Sequence, residues 1–193
     1  THNPLPSQSY AMPPEWNPHQ RTYVSWPVQD SMVYPENFVA VQYWYLELVL
    51  AIAEFEPVAV LVNPEQLEQV QGLIEDRQAL PGCPAIRDID LLLIPHNDAW
   101  VRDNGPTFIV DTMGRLAAVN WQFNAWGGKY PSAKDNRIAG KMASFLSMES
   151  FAFPVVLEGG YHMANRGLCH AKSLGYLHLR LTLISQPQNQ RMV

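Results

Sequence analysis

The chain has 193 residues, enough for one sizeable hydrophobic core. Its 47% hydrophobic and 16% charged residues exclude disordered and fibrous classes. A net charge of −5 argues against nucleic acid, whose phosphates need a basic face, and suits a cationic partner better.

Taken in chain order, Thr1 to Pro18 is rich in Pro, Asn and Ser without periodicity and reads as an irregular arm. Thr22 to Trp26 is a short β-prone run closed by Pro27. Pro35-Glu36 then opens a long apolar helix, with Pro at a tolerated first-turn position. Its apolar stretch, Phe38 to Phe55, is interrupted by Gln42, Glu47 and Glu54, so it predicts a buried helix and not a membrane span. Val58 to Val62 is a buried-strand run ended by Asn63-Pro64, and Pro64 to Ile74 returns to helical spacing through Leu67, Val70, Leu73 and Ile74. Asp90 to Ile94 reads as a strand. Phe108 to Val110 and Leu116 to Asn120 predict a hairpin around Thr112-Met113-Gly114. Ala133 to Leu146 is helical in pattern, and Val155 to Leu157 is a last strand delivered to Glu158-Gly159-Gly160. Hairpins between crossovers imply an α/β fold with a mixed sheet. The N-terminus lacks the features of a secretory signal, so the expected location is cytoplasmic. Cys83 and Cys169 fit neither a ligand-pair spacing nor a disulfide framework and read as unpaired thiols.

Three clusters could carry chemistry. His96-Asn97-Asp98-Ala99-Trp100-Val101-Arg102-Asp103-Asn104-Gly105-Pro106 follows a strand, where loops on a rigid scaffold carry binding groups. On composition alone it is equally a solvated turn with an internal Asp-Arg pair. Trp100 between Asp98 and Asp103, however, offers a face for a planar cation and anions for its edge, as guanidinium recognition requires. Trp121 to Pro131 combines four aromatics with Gly127-Gly128, a pair that marks backbone with positive φ, and reads as a wall of the site. In the third cluster, Glu158 stands at a strand end beside two glycines, a capping position unless a partner carboxylate joins it.

Met12-Pro-Pro-Glu-Trp16 with Pro18-His19, Ser25-Trp-Pro27, Ala53-Glu-Phe-Glu-Pro57, Asn97-Asp-Ala-Trp-Val-Arg-Asp103, Gly105-Pro106, Phe123-Asn-Ala-Trp-Gly-Gly-Lys-Tyr130 and Leu157-Glu-Gly-Gly160 occur in that order. Together they resemble the agmatine deiminase and bacterial peptidylarginine deiminase family over about residues 11 to 160. The resemblance implies an α/β propeller of ββαβ modules, incomplete in this chain. It also implies conversion of agmatine and water to N-carbamoylputrescine and ammonia, a step of putrescine biosynthesis, with no metal and no organic cofactor. Trp100 would line the guanidine pocket, and Asp103 and Glu158 would grip the guanidinium from one cavity beside it. Asp98 and Arg102 would brace the loop, and Asn124 and Trp126 would support the wall. The implied partner is a small guanidine, with no nucleic acid and no membrane; a homo-oligomer is left open.

The family's nucleophilic Cys near the C-terminus and its His-x-Asp element have no counterpart. His162 is followed by Met163-Ala164, His170 by Ala171-Lys172 and His178 by Leu179-Arg180, while Cys169 is too early and Cys83 precedes the substrate loop. No catalytic residue is therefore assigned, and the chain is expected to be inactive. Composition breaks at the same place: residues 1 to 160 carry 9 − 18 = −9, whereas 161 to 193 hold 4 basic residues and no acid. The expected organisation is a deiminase segment, 1 to 160, and a tail, 161 to 193, from a shifted reading frame or alternative exon, with a divergent ending as the rival. Alternation of Leu177, Leu179, Leu181 and Leu183 with polar residues permits a half-buried strand there. A metal site from His162, Cys169, His170 and His178 matches no standard ligand spacing. The alternatives to an agmatine enzyme are a protein-arginine deiminase and a non-catalytic guanidine- or protein-binding remnant.

Overall fold

The computed structural model describes residues 10–14, 16–31, 36–83 and 88–158, and the backbone of 181–184. The centre of the fold is β3 (Val58–Val62), whose five residues are all fully buried. An unbroken apolar run is what a strand covered on both faces requires. It pairs in parallel with β2 (His19–Ser25) on one side and β4 (Ile89–Leu93) on the other. The crossovers are α1 (Phe38–Ala53) and α2 (Leu67–Gln78), the second entered through a 3₁₀ turn, Pro64–Gln66.

Alternation along β3 divides the core. Val58, Val60 and Val62 point to the helices, where Leu46, Val49 and Val70 meet them. Ala59 and Leu61 point the other way, against Phe108, Ile138 and Met142. That second layer joins the first sheet to a ββαβ module. Its strands are β5 (Thr107–Asp111) and β6 (Leu116–Gln122), an antiparallel hairpin, and β7 (Glu149–Val156), which returns parallel to β6 through helix α5 (Ile138–Phe145). Asp111 builds the hairpin turn: its Oδ1 accepts from the N–H groups of Met113 at 2.8 Å and Arg115 at 2.9 Å, and Gly114 takes φ 81°. Both sheets are four-stranded and mixed, as the sequence implies.

Several boundaries differ from the sequence reading, among them that of the helix expected from Ala133, whose α-helical part spans only Ile138–Phe145 after a 3₁₀ turn, Asp135–Arg137. The arm is not wholly irregular: β1 (Tyr10–Ala11) pairs antiparallel with β5, and the Tyr10 ring meets Phe151 edge to face at 5.6 Å. The first long strand begins at His19, three residues early, where His19 meets Glu56 at 3.0 Å. The last predicted strand begins at Glu149 and not Val155, with Pro154 tolerated because β7 lies at a sheet edge. In the tail, β8 (Leu181–Ile184) pairs antiparallel with β2 at the opposite edge of the first sheet. Residues 159–180, with Cys169 and all three tail histidines, lie outside the described residues, while Cys83 is a free thiol.

Candidate functional site

Parallel strands end on one side of a sheet, and that side of an open α/β fold is where ligands bind. The strand ends are tied together there. Beyond β4, the buried His96 contacts the carbonyl of Trp26, after β2, through Nε2 at 2.7 Å and that of Ile94 through Nδ1 at 3.0 Å. Its backbone N–H donates to Asn63 Oδ1, after β3, at 2.9 Å. Burial lowers the His96 pKa, against the carbonyl contacts that favour its protonated form. This histidine is a structural pin.

From it runs the loop carrying the first cluster. Asp98 is buried, accepting from Ser31 Oγ at 2.7 Å and from the Ala99 N–H at 2.8 Å. The short helix α3 (Val101–Asn104) follows and carries Arg102, partly exposed, and Asp103, buried. Trp100, just before it, is half-buried.

The opposite wall is α4 (Ala125–Gly128), a helical turn of left-handed sense. Ala125 has φ 51°, Trp126 φ 55° and ψ 47°, Gly127 φ 86° and Gly128 φ 79°. Glycines adopt this conformation freely, but Ala and Trp are strained by about 1–2 kcal/mol each. Asn124 caps the turn by accepting from the Gly127 N–H at 2.9 Å. The result holds Trp126 over Trp100, with ring centroids 5.3 Å apart and planes at 88°. Phe123 and Tyr130 complete the cluster at 5.5 Å and 6.0 Å from Trp126.

Beyond β7 stands Glu158, also buried. Burial pushes its carboxyl up, the neighbouring Asp103 carboxylate adds to the rise, and Lys129 counters it. Asp103 is thus near enough to Glu158 for its charge to be felt. The cavities divide differently. Glu158 lines one of about 470 Å³ with Asn124, Trp126 and Gly127. Trp100 lines another of about 180 Å³ with Asp98, Phe123, Trp126 and Asp135, so Trp126 is the shared wall and Asp103 lines neither.

Sequence reasoning passed over Asp135, buried below the loop. Its Oδ1 accepts from the N–H groups of Asn97 at 2.5 Å and Asp98 at 3.4 Å. An acid before an apolar helix reads as first-turn charge, which hides its long-range partners. Among the described residues, no group of His, Cys, Asp and Glu could hold a metal ion, and no helix is long and apolar enough to cross a membrane.

Residues 11–169 match the family model of the Porphyromonas-type peptidyl-arginine deiminases, reaching past Gly160, where the sequence motifs end. The agmatine deiminase of Stutzerimonas stutzeri is 36% identical over 157 residues, 78% of this chain and 40% of that one. That of Ectopseudomonas mendocina is 34% identical over 164 residues, 80% of this chain and 40% of that one. A solved agmatine deiminase of Enterococcus faecalis superposes with TM-score 0.69 at 28% identity, covering 83% of this chain and 43% of its own. The chain therefore spans under half the length of the relatives it matches, and its fold is the corresponding part of the α/β propeller of these deiminases. With the ββαβ module and the match in agreement, the chain belongs to the Porphyromonas-type peptidyl-arginine deiminase family.

Proposed function

We propose that the protein recognises the guanidinium of agmatine as part of an agmatine deiminase. In that reaction water adds at the guanidine carbon, a C–N bond breaks, ammonia leaves and N-carbamoylputrescine remains. One observation carries the reading: the buried carboxyls of Asp103 and Glu158 lie close enough for the first to raise the pKa of the second. Two carboxylates held together are costly without a cation, and a guanidinium offers N–H groups on opposite edges to satisfy both. Trp100 and Trp126 supply faces for its plane. Asp98 and Arg102 brace the loop, and Asn124 holds the turn. The chemistry asks for neither a metal nor an organic cofactor. Peptidyl-arginine is the second substrate class, favoured by the family description itself.

For these 193 residues alone the reading is binding without turnover, because the sequence after Glu158 contains no His-x-Asp element. Without base and nucleophile most of the rate acceleration is lost. The experiment is a calorimetric titration of the chain with agmatine, alongside an ammonia-release assay. Saturable binding is expected, weakened by roughly tenfold or more in Asp103→Asn and Glu158→Gln, since each removes one charge from a desolvated pair. No saturable binding, or binding that ignores both substitutions, would defeat the assignment. Ammonia release abolished by Cys169→Ser or Cys83→Ser would overturn the expected lack of turnover.

A further inference from the structure

The turn Asp135–Arg137, which leads into α5, carries two consecutive side chains that reach the two walls of the site separately. Asp135, 1% exposed, takes the N–H groups of Asn97 and Asp98 on its Oδ1. The clasp is returned: Asn97 Oδ1 accepts from the N–H groups of Lys134 at 2.8 Å and Asp135 at 3.4 Å. Asn136 Oδ1 accepts from the Phe123 N–H at 2.7 Å, at the start of the opposite wall. Both attachments are side chain to backbone, so they fix chain position irrespective of the residues held. The left-handed turn that follows Phe123 is strained and persists only if its surroundings over-determine it. Asn136 fixes Phe123, two residues before that turn begins at Ala125.

We propose that Asp135 and Asn136 are paired positioning residues, which set the spacing between the Asn97–Trp100 loop and the Phe123–Trp126 turn and so form the tryptophan-walled pocket. The proposal rests on the reading of Trp100 and Trp126 as the faces of the guanidinium site. Asp135 adds a pH response to the geometry. Burial pushes its carboxyl up to about 6, the N–H groups of Asn97 and Asp98 oppose the rise, and the Asp98 carboxylate adds to it. Asn104 lies beside it, favouring the charged form yet outside hydrogen-bond geometry. The other ionisable groups facing the cleft are Asp30, Glu65, Tyr130 and Lys134, with His96 behind the loop. Protonation turns two charge-assisted bonds into neutral ones of roughly half the strength. Ionisation thus strengthens these two contacts while burial of the charge makes the folded chain as a whole less stable above this pKa.

The test uses the full chain, ¹⁵N-labelled, with the indole N–H signals of Trp100 and Trp126 assigned through Trp→Phe variants. In the wild type, the Asn97, Asp98 and Trp100 signals should titrate together with a midpoint near about 6. Asp135→Asn keeps an oxygen acceptor but no charge, and should hold the Trp100 signal at its low-pH position with the titration gone. Asp135→Ala should displace Trp100, and Asn136→Ala should displace Phe123 and Trp126 while sparing Asn97. A titration that survives in Asp135→Asn, or a Trp100 signal unmoved in folded Asp135→Ala, would overturn the proposal. If Asp135→Ala does not fold, Asp135→Asn decides alone. None of these signals needs agmatine, so a failure to bind agmatine counts against the proposed function only. Where agmatine binds, Asp135→Ala should weaken it by about tenfold or more and Asp135→Asn by under about threefold, because the loss is one of placement.

Discussion

The rings of Trp100 and Trp126 meet edge to face, 5.3 Å apart, in the wall of one cavity, and Trp126 also lines a second. Trp126 reaches that position from a backbone conformation, φ 55° and ψ 47°, that disfavours every residue but glycine. Side-chain contact and backbone strain therefore oppose each other at one residue, and two substitutions separate them. Trp126→Ala loses the ring contacts and keeps the strain, whereas Trp126→Gly loses both. Urea denaturation should find the Gly variant more stable than the Ala variant by about 1 kcal/mol. Both should bind agmatine far less well than wild type. An Ala variant as stable as the Gly variant would show that the left-handed turn is not held in solution.

Asp135 gives a stability signature of unusual sign. Its carboxyl titrates at about 6 in the folded chain, against an ordinary value of 3.8. Between those values the folded chain holds a proton that the unfolded chain has released, so this group makes stability rise as pH falls from 6 towards 4. Above 6 the penalty is constant. A shift of about two units corresponds to roughly 3 kcal/mol. Asp135→Asn is neutral at every pH, so it should exceed the wild type in stability at pH 7 by up to about 3 kcal/mol and lose that advantage near pH 4. Urea midpoints across this range check it; an Asn variant less stable than wild type at pH 7 would mean that the anion's hydrogen bonds outweigh its burial.

Where a signal was local, the sequence was sufficient. Val58–Val62 was legible to the residue because an apolar run ends at Asn63-Pro64, and the 107–122 hairpin because turn residues separate two β-prone runs. The site loop stood out through its density of Asp, Trp and Arg. What could not be read depends on partners distant in the chain. Asp135 acts on residues 37 and 38 positions earlier, and no pattern near Asp135 encodes them. Tyr10–Ala11 becomes a strand only because β5 offers an edge. Gly127-Gly128 signalled positive φ, but the spread of that conformation to Ala125 and Trp126 contradicts their propensities and needs Asn124 and Asn136 to hold it.

The Asp103–Glu158 pair predicts how guanidinium binding depends on pH. Glu158 is raised first by burial and then by Asp103, and a cation binds its ionised form. Agmatine affinity should therefore rise with pH through the Glu158 titration and level off above it. In Asp103→Asn the repulsion is gone, so Glu158 should titrate lower, seen in the ¹³C shift of its carboxyl. If its titration does not move, the two groups are not neighbours in solution and the shared grip fails.

Our last prediction concerns the tail, which we propose is a separate segment from residue 161 onward, set apart by its lack of acidic residues. Within it, β8 pairs among the described residues only with β2 and lies at the end of the order β4-β3-β2-β8, whereas β3 is flanked on both sides. Opening an edge strand breaks one ladder, and opening β3 breaks two and uncovers five fully buried residues. Burying each such Val or Leu is worth roughly 1.5–3 kcal/mol, so β3 should exchange its amides only through global unfolding. Leu181–Ile184 should exchange through local opening, orders of magnitude faster and without dependence on low denaturant. A segment never selected with this core lacks matched holes for its apolar groups and adds little to its docking. Hydrogen exchange read by mass spectrometry or NMR on the whole chain measures both strands at once. Equal protection of Leu181–Ile184 and Val58–Val62 would mean that the tail folds as one unit with the sheet and would favour a divergent, co-evolved ending over a separate segment.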